Sequence, residues 1–297
     1  MKKLKFGRRH QAEERAADTK AGATSTAEAL PTETVGQRAA HRRRIMPARR
    51  LALASLRDLW AHWRIYMPIV AVVALPIDIL SMVPNLANDM SFNAYGSIAS
   101  LFMTVALIYA IGRISAGAAH LKLSTAYYDG SIAIVRFTIV VSLLVILLIP
   151  AALGAMLYII GAYPSQTVYI SSGEQILIGA AALIVSMLSW WWLARFIFSI
   201  YAVVEDNYRP AAALRYSRQL TLKRFWRVFG RLVSLVVGVA VVMLVSYIPP
   251  ALLGLVYHNA TVVSALFLTL LMLIGLPLLN LYMFKLYRDL SASHAAQ

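Results

Sequence analysis

The 297-residue chain contains no cysteine, which excludes disulfides, thiolate zinc sites and a cysteine nucleophile. Acids are scarce, with 13 Asp and Glu against 28 Lys and Arg, and charged residues make up only 14% of the chain. The six histidines, at 10, 41, 62, 120, 258 and 294, are scattered, and no two stand four apart as helical zinc ligands would. There is no Gly-rich phosphate loop, no G-x-S-x-G elbow and no H-E-x-x-H. The expectation is a non-catalytic protein without cofactor or metal. The first 50 residues also lack an apolar run, so a cleaved secretory signal is not expected and the first span is its own insertion signal.

What is abundant is apolar sequence, at 60% of residues, above the roughly 45–50% of soluble domains. A hydrocarbon core needs about 20 apolar residues of helix. Six stretches reach that length: 65–84, 96–117, 137–160, 176–204, 232–255 and 261–284. The connecting segments 85–95, 161–175 and 256–260 contain no Lys or Arg, and Asp89 and Glu174 are their only charges. All 28 basic residues therefore fall on one side. Cytoplasmic segments are enriched in Lys and Arg, so both termini are expected in the cytoplasm of a plasma-membrane protein. The fold class is thus all-α integral membrane, six transmembrane helices as three hairpins, with amphipathic interfacial helices leading into them on the cytoplasmic face.

The domain plan is a disordered basic cytoplasmic tail over 1–47, a six-span membrane domain over 48–290 and a short cytoplasmic C-terminus over 291–297. The tail has one aromatic, Phe6, and no sustained apolar period, so burial cannot offset its ordering entropy. The net charge of +15 is characteristic of polyanion binders, but its concentration at helix ends is what topology requires, and no nucleic acid is expected.

From Ala48 onward Leu53, Leu56, Leu59, Trp60 and Trp63 recur at helical spacing, the pattern of an interfacial helix, with Pro68 the expected turn into the first span. A second such segment has Ala213, Tyr216, Ser217 and Leu220 on one face and Arg215, Arg218 and Gln219 on the other. Asp206 and Asn207 are its expected caps, ahead of Pro210. Arg64, Arg136 and Arg227 open the first, third and fifth spans, and Arg113, Arg195 and Lys285 follow them after 49, 59 and 58 residues. Snorkelling explains each cation singly. The recurrence suggests one hairpin unit used three times, as in many transporters.

Asp78 is the one acid well inside a span, and an intramembrane carboxylate is a functional candidate by default. A permease would use it together with the cytoplasmic-side cations. Gly112, Gly117, Gly230 and Gly238 are expected at close helix approaches. Trp190, Trp191 and Trp192 before Arg195 form an expected interfacial and cation–π cluster. Asp129, Glu205 and Asp206, the acids of the cytoplasmic side, are expected to cap helices or pair with Arg195, Arg209 or Arg136. A lipid-headgroup enzyme would need them to converge with His120.

The run from Arg195 through Glu205, then Ala213, Leu214, Ser217, Leu220 and Thr221, reads as an Arg, an apolar helix, a Glu and an A-L-x-x-S-x-x-L-T segment ahead of Phe225-Trp226-Arg227-Val228. This resembles the membrane domain found with some bacterial glycerophosphoryl diester phosphodiesterases. The motif covers about 35 residues, and the six-span plan extends the likeness over 48–290. The catalytic part of such enzymes is a soluble metal-binding barrel, for which this sequence has no stretch, so the resemblance implies a bacterial membrane module without phosphodiesterase activity. Its expected partners are membrane lipids, preferentially anionic, and a membrane protein. Expected headgroup or partner contacts are Arg64, Arg113, Arg136, Arg195, Glu205, Arg215, Ser217, Arg218, Arg227 and Lys285.

Overall fold

A computed structural model describes residues 46–81, 83, 89–118, 121–162, 171–222, 224–254 and 260–295. The expected tail, apart from Met46 and Pro47, and much of the loops 161–175 and 256–260 lie outside these described residues. All regular structure among them is helical. In chain order the helices are α1 (Ala48–Ala61), α2 (Trp63–Ser81), α3 (Met90–Ser115), α4 (Leu123–Ser131), α5 (Ile134–Ala162), α6 (Ser172–Phe196), α7 (Ser199–Val204), α8 (Pro210–Leu222), α9 (Phe225–Gly254) and α10 (Ala260–Ala295). Six helical stretches are long and apolar enough to cross a membrane, in α2, α3, α5, α6 continued by α7, α9 and α10. The protein is an all-α, multi-pass membrane protein.

The two acids of the segments without basic residues have local work. Asp89 accepts from the Ser91 N–H at 2.8 Å and starts α3. Ser171 and Glu174 form a reciprocal capping box at the start of α6. Gly117 closes α3 at φ +96°, and the Ala118 N–H beyond it donates to the Arg113 carbonyl at 3.1 Å.

Two expected turns are placed differently. The chain breaks between α1 and α2 at His62, whose N–H donates to the Asp58 carbonyl, whereas Pro68 lies within α2. Pro68 comes more than a turn into that helix, so its missing N–H removes one backbone bond without ending it. Before α8, Asp206 and Asn207 do not cap. Asp206 accepts from the Tyr287 hydroxyl, and Asn207, in the left-handed region at φ 56°, accepts from Arg136. Pro210 does open α8, where a missing N–H costs nothing.

Consecutive spans touch: α2 packs on α3, α9 on α10, and α5 on α6 most extensively. Lipid tails are as apolar as leucine, so close backbone approach and buried polar links hold such helices together. Gly154 in α5 supplies the closest approach, since a Cβ there would stand 2.7 Å from the Ala182 carbonyl oxygen and 2.5 Å from Ser186 Oγ. Gly230 and Gly238, by contrast, face open space. An apolar sequence context does not distinguish a glycine at a helix crossing from one facing open space.

The packed core lies at the basic end. Tyr66, Phe137, Phe198, Phe284 and Tyr287 are buried there among Leu107, Ile108 and Ile111 of α3. Protein covers 39% of the most apolar stretch of α3 but only 6% of that of α9, so most of α9 is left uncovered by the described residues. Three short helices complete the basic end. Each rests on the long helix before it in a cyclic order: α4 on α3, α8 on α6 and α7, and α1 on α10.

Candidate functional site at the basic end

The short helices are seated by small residues. Gly130 of α4 lies so close to α3 that a Cβ would stand 3.2 Å from the Ala106 Cα. Ser217 of α8 is fully buried and donates to the Arg195 carbonyl at 2.7 Å, satisfying one of the acceptors left orphaned where α6 ends. Ser55 of α1 is equally buried and bonds the Leu51 carbonyl. In α8 the faces are as expected, with Ala213, Ser217 and Leu220 buried and Arg215, Arg218 and Gln219 exposed. In α1 the expected stripe divides. Leu59 is buried with Leu51 and Ser55, while Leu53, Leu56, Trp60 and Trp63 point away from the protein.

The acids engage partners other than the expected arginines. Glu205, just beyond α7, is half-buried with Oε1 3.9 Å from Arg288 Nη2. Its Oε2 occupies the space that a Cβ on Gly112 would need, at 2.0 Å. Burial pushes the Glu205 carboxyl above the ordinary carboxylate range; Arg288 opposes this, Asp206 adds to it, and Arg113 again opposes it. Asp129 accepts the Tyr109 hydroxyl at 3.0 Å. Tyr127, its α4 neighbour, donates to the Ile69 carbonyl of α2 at 2.6 Å, and burial holds its pKa above the ordinary value. His120 lies outside the described residues, and among those described no three His, Asp or Glu side chains form a metal-binding group.

The cations fall into separate places. Lys285 pairs with Asp58 of α1 at 2.7 Å, and Arg136 holds Asn207. Arg288, beyond the expected set, reaches the Ser115 carbonyl at 3.4 Å and so joins α10 to the end of α3. Arg64 lies 5.8 Å from the Trp63 ring and Arg113 5.9 Å from that of Tyr109. The expected cation–π contact is present, with the Arg195 guanidinium 3.6 Å from the centre of the Trp191 ring. Arg195 and Arg227 line one cavity of about 560 Å³ with Arg224, Trp191, Phe225, Trp226 and Leu222. Arg224 was missed by sequence reasoning because it falls in the turn between α8 and α9, outside both amphipathic patterns.

A second cavity, of about 620 Å³, is an apolar groove between α9 and α10 closed by Ala48, Arg49 and Ala52 of α1. A third, smaller hollow lies between Arg215, Arg218, Gln219, Leu222 and His294. Asp78 lines none of these three, and its carbonyl accepts from Ser81 at 2.7 Å.

Residues 168–296 match the family model described as the membrane domain of glycerophosphoryl diester phosphodiesterase. The match runs through α6 to α10 and includes every residue of the Arg195 to Thr221 motif. No curated protein and no solved structure matches the chain. In its second half, then, this multi-pass helical protein is similar to the membrane domain of that phosphodiesterase family, and the match contains none of its catalytic domain.

Proposed function

We propose that this protein is a non-catalytic plasma-membrane module that gathers anionic lipid at its cytoplasmic face and serves as a scaffold for a membrane-protein partner. The observation that carries this reading is the surface of the short helices. α1 turns Leu53, Leu56 and Trp60 away from the protein, and α8 does the same with Arg215 and Arg218. Apolar and aromatic side chains beside arginines are what a helix lying at the headgroup level presents. Anionic headgroups attract such cations by about 1 kcal/mol each. Both termini are then cytoplasmic, since the basic end is the cytoplasmic one.

The packing supports a scaffold over a permease: the basic end is filled by buried aromatic side chains, and Asp78 lines none of the three cavities. The test is lipid preference. Full-length protein in nanodiscs should enrich phosphatidylglycerol over phosphatidylcholine, and charge reversal of Arg215 and Arg218 should weaken that enrichment. Equal affinity for the two lipids, with no effect of the reversal, would overturn the reading.

A further inference from the structure

The three short helices are comparable position by position. Ser55 lies 9 residues before Arg64, while Ala126 and Ser217 each lie 10 before Arg136 and Arg227, and all three are fully buried where their helix is seated. Three residues further on, α1 has Asp58, α4 has Asp129 and α8 has Leu220. The long helices beneath correspond too. Tyr109 and Arg113 of α3 and Trp191 and Arg195 of α6 are aromatic–arginine pairs four residues apart, each with the cation near its ring. Lys285 is the matching cation of α10 and takes Asp58. At the α3 seat, Asp129 takes Tyr109. At the α6 seat the acid is missing.

Beside this seat, around the turn from α8 to α9, lies a cavity with three guanidinium groups, Arg195, Arg224 and Arg227, and no carboxylate in its lining. The buried Arg195 Nε donates to nothing among the described residues. Stacking on Trp191 leaves the edge of that guanidinium as its donor surface. Arg224 donates to Ser293 through Nη1. Its carbonyl starts α9 by accepting from Arg227 and Val228 at 3.0 and 3.1 Å, so Arg224 and Arg227 stand one turn apart at the positive end of α9. Three like charges in one hollow repel unless an anion joins them. Guanidinium forks match the oxygens of phosphate bidentately. Trp191 and the exposed Trp226 form a wall of the kind found at headgroup depth.

We propose that Arg195, Arg224 and Arg227 form a binding site for a phosphate-ester anion. The proposal rests on the lipid reading above and names one site within it. Phosphate could reach this hollow on a lipid headgroup or as a free solute, and the experiment separates the two.

Full-length protein is placed in phosphatidylcholine nanodiscs containing a minor fraction of spin-labelled phosphatidylglycerol, and the immobilised label is measured with and without inorganic phosphate at matched ionic strength. The wild type is expected to immobilise the label, and Arg224→Gln/Arg227→Gln to bind it about tenfold more weakly, the scale of one lost charged hydrogen bond. Arg57→Gln/Lys122→Gln removes the same charge from the basic end at residues that line no part of the hollow, and should weaken binding far less than tenfold. The six tryptophans are untouched in both variants, so near-UV dichroism reports whether the fold is kept. Displacement of the label by inorganic phosphate, abolished in Arg224→Gln/Arg227→Gln, assigns the site to a free phosphate; failure to displace assigns it to the lipid. If Arg224→Gln/Arg227→Gln immobilises the label as well as the wild type, this site is overturned while the lipid reading stands. If the wild type shows neither immobilisation nor a response to phosphate, both are overturned.

Discussion

Replacing Gly112 by alanine tests how closely the Glu205 carboxylate is seated against α3. The new Cβ would stand 2.0 Å from Glu205 Oε2 and 3.0 Å from its Cδ, where ordinary contact begins at 3.4 Å. The carboxylate must retreat by about 1.4 Å, the difference between those distances, and because Cδ is also too close, turning the carboxylate alone does not clear the clash. Overpacking of this kind costs about 1–3 kcal/mol, while exchanging glycine for alanine inside a helix returns up to about 1 kcal/mol. Gly112→Ala is therefore expected to destabilise the protein by about 1–2 kcal/mol. Glu205→Ala removes the atoms in conflict, and in that background Gly112→Ala should be neutral or mildly stabilising, a coupling of about 2 kcal/mol. Glu205→Gln keeps the bulk and should give no relief. Unfolding of the four combinations in bicelles measures the cycle. An equal cost of Gly112→Ala with and without the Glu205 side chain would refute the steric argument.

Three other outcomes are expected. Glu205 has a raised folded-state pKa, so its native state holds a proton that the unfolded chain releases from about 4.5 upward; its contribution is fully present below that pH and is lost as pH rises through the folded value. Glu205→Gln should accordingly gain stability relative to the wild type between pH 4 and neutrality, which thermal unfolding across pH measures; a constant difference would contradict the burial of the carboxyl. Gly154→Ala sets a Cβ against the Ala182 carbonyl, a backbone atom that cannot turn aside, so α5 and α6 must separate at a net cost of about 1–2 kcal/mol. Gly238→Ala, facing open space, should be neutral or stabilising in the same assay. Ser217→Ala leaves the Arg195 carbonyl without its inter-helix donor and should cost about 1 kcal/mol, whereas Ser246→Ala, whose hydroxyl bonds within its own helix, should cost little.

The spans were legible in the sequence because bilayer thickness imposes a length that apolar runs must meet. Their basic ends were not. Arg227, Arg231, Lys285 and Arg288 interrupt the apolar runs, yet α9 starts at Phe225 and α10 continues to Ala295, since long basic side chains extend from a helix without ending it. The helix α4 left no amphipathic signature because Ala126 and Gly130 seat it, and periodicity weighs large apolar residues, not small ones. α8 was legible since its buried face is flanked by Arg215 and Arg218. The partners of the acids were not: Asp206 meets Tyr287 and Glu205 meets Arg288, each more than 80 residues away, and the choice among basic and hydroxyl partners is made by packing. Arg195 was found through its tryptophan, four residues earlier, and Arg224 had no comparable marker.

The recurrence of the cations has a physical basis that snorkelling alone does not provide. A snorkelling residue needs only a helix end and solvent, so nothing about it fixes the distance to the next. Here the second cation of each pair lies on the long helix that receives a short helix, and the short helix presents Asp58 to Lys285, Asp129 to the ring beside Arg113, and a serine hydroxyl to the carbonyl of Arg195. Two spans and their outer turn lie between the cations of a pair, and a short helix lies between one pair and the next, α4 between Arg113 and Arg136 and α8 between Arg195 and Arg227. Because α1 rests on α10, the first and last described helices meet, and the Lys285–Asp58 pair closes the order. The α8 seat has Leu220 where the others have an acid, and the hollow at the following turn holds Arg195, Arg224 and Arg227. Asp58 neutralises Lys285 and Asp129 takes the Tyr109 hydroxyl, whereas the three guanidinium groups beside α8 share a hollow lined by no carboxylate, the place proposed for an anion from outside the chain.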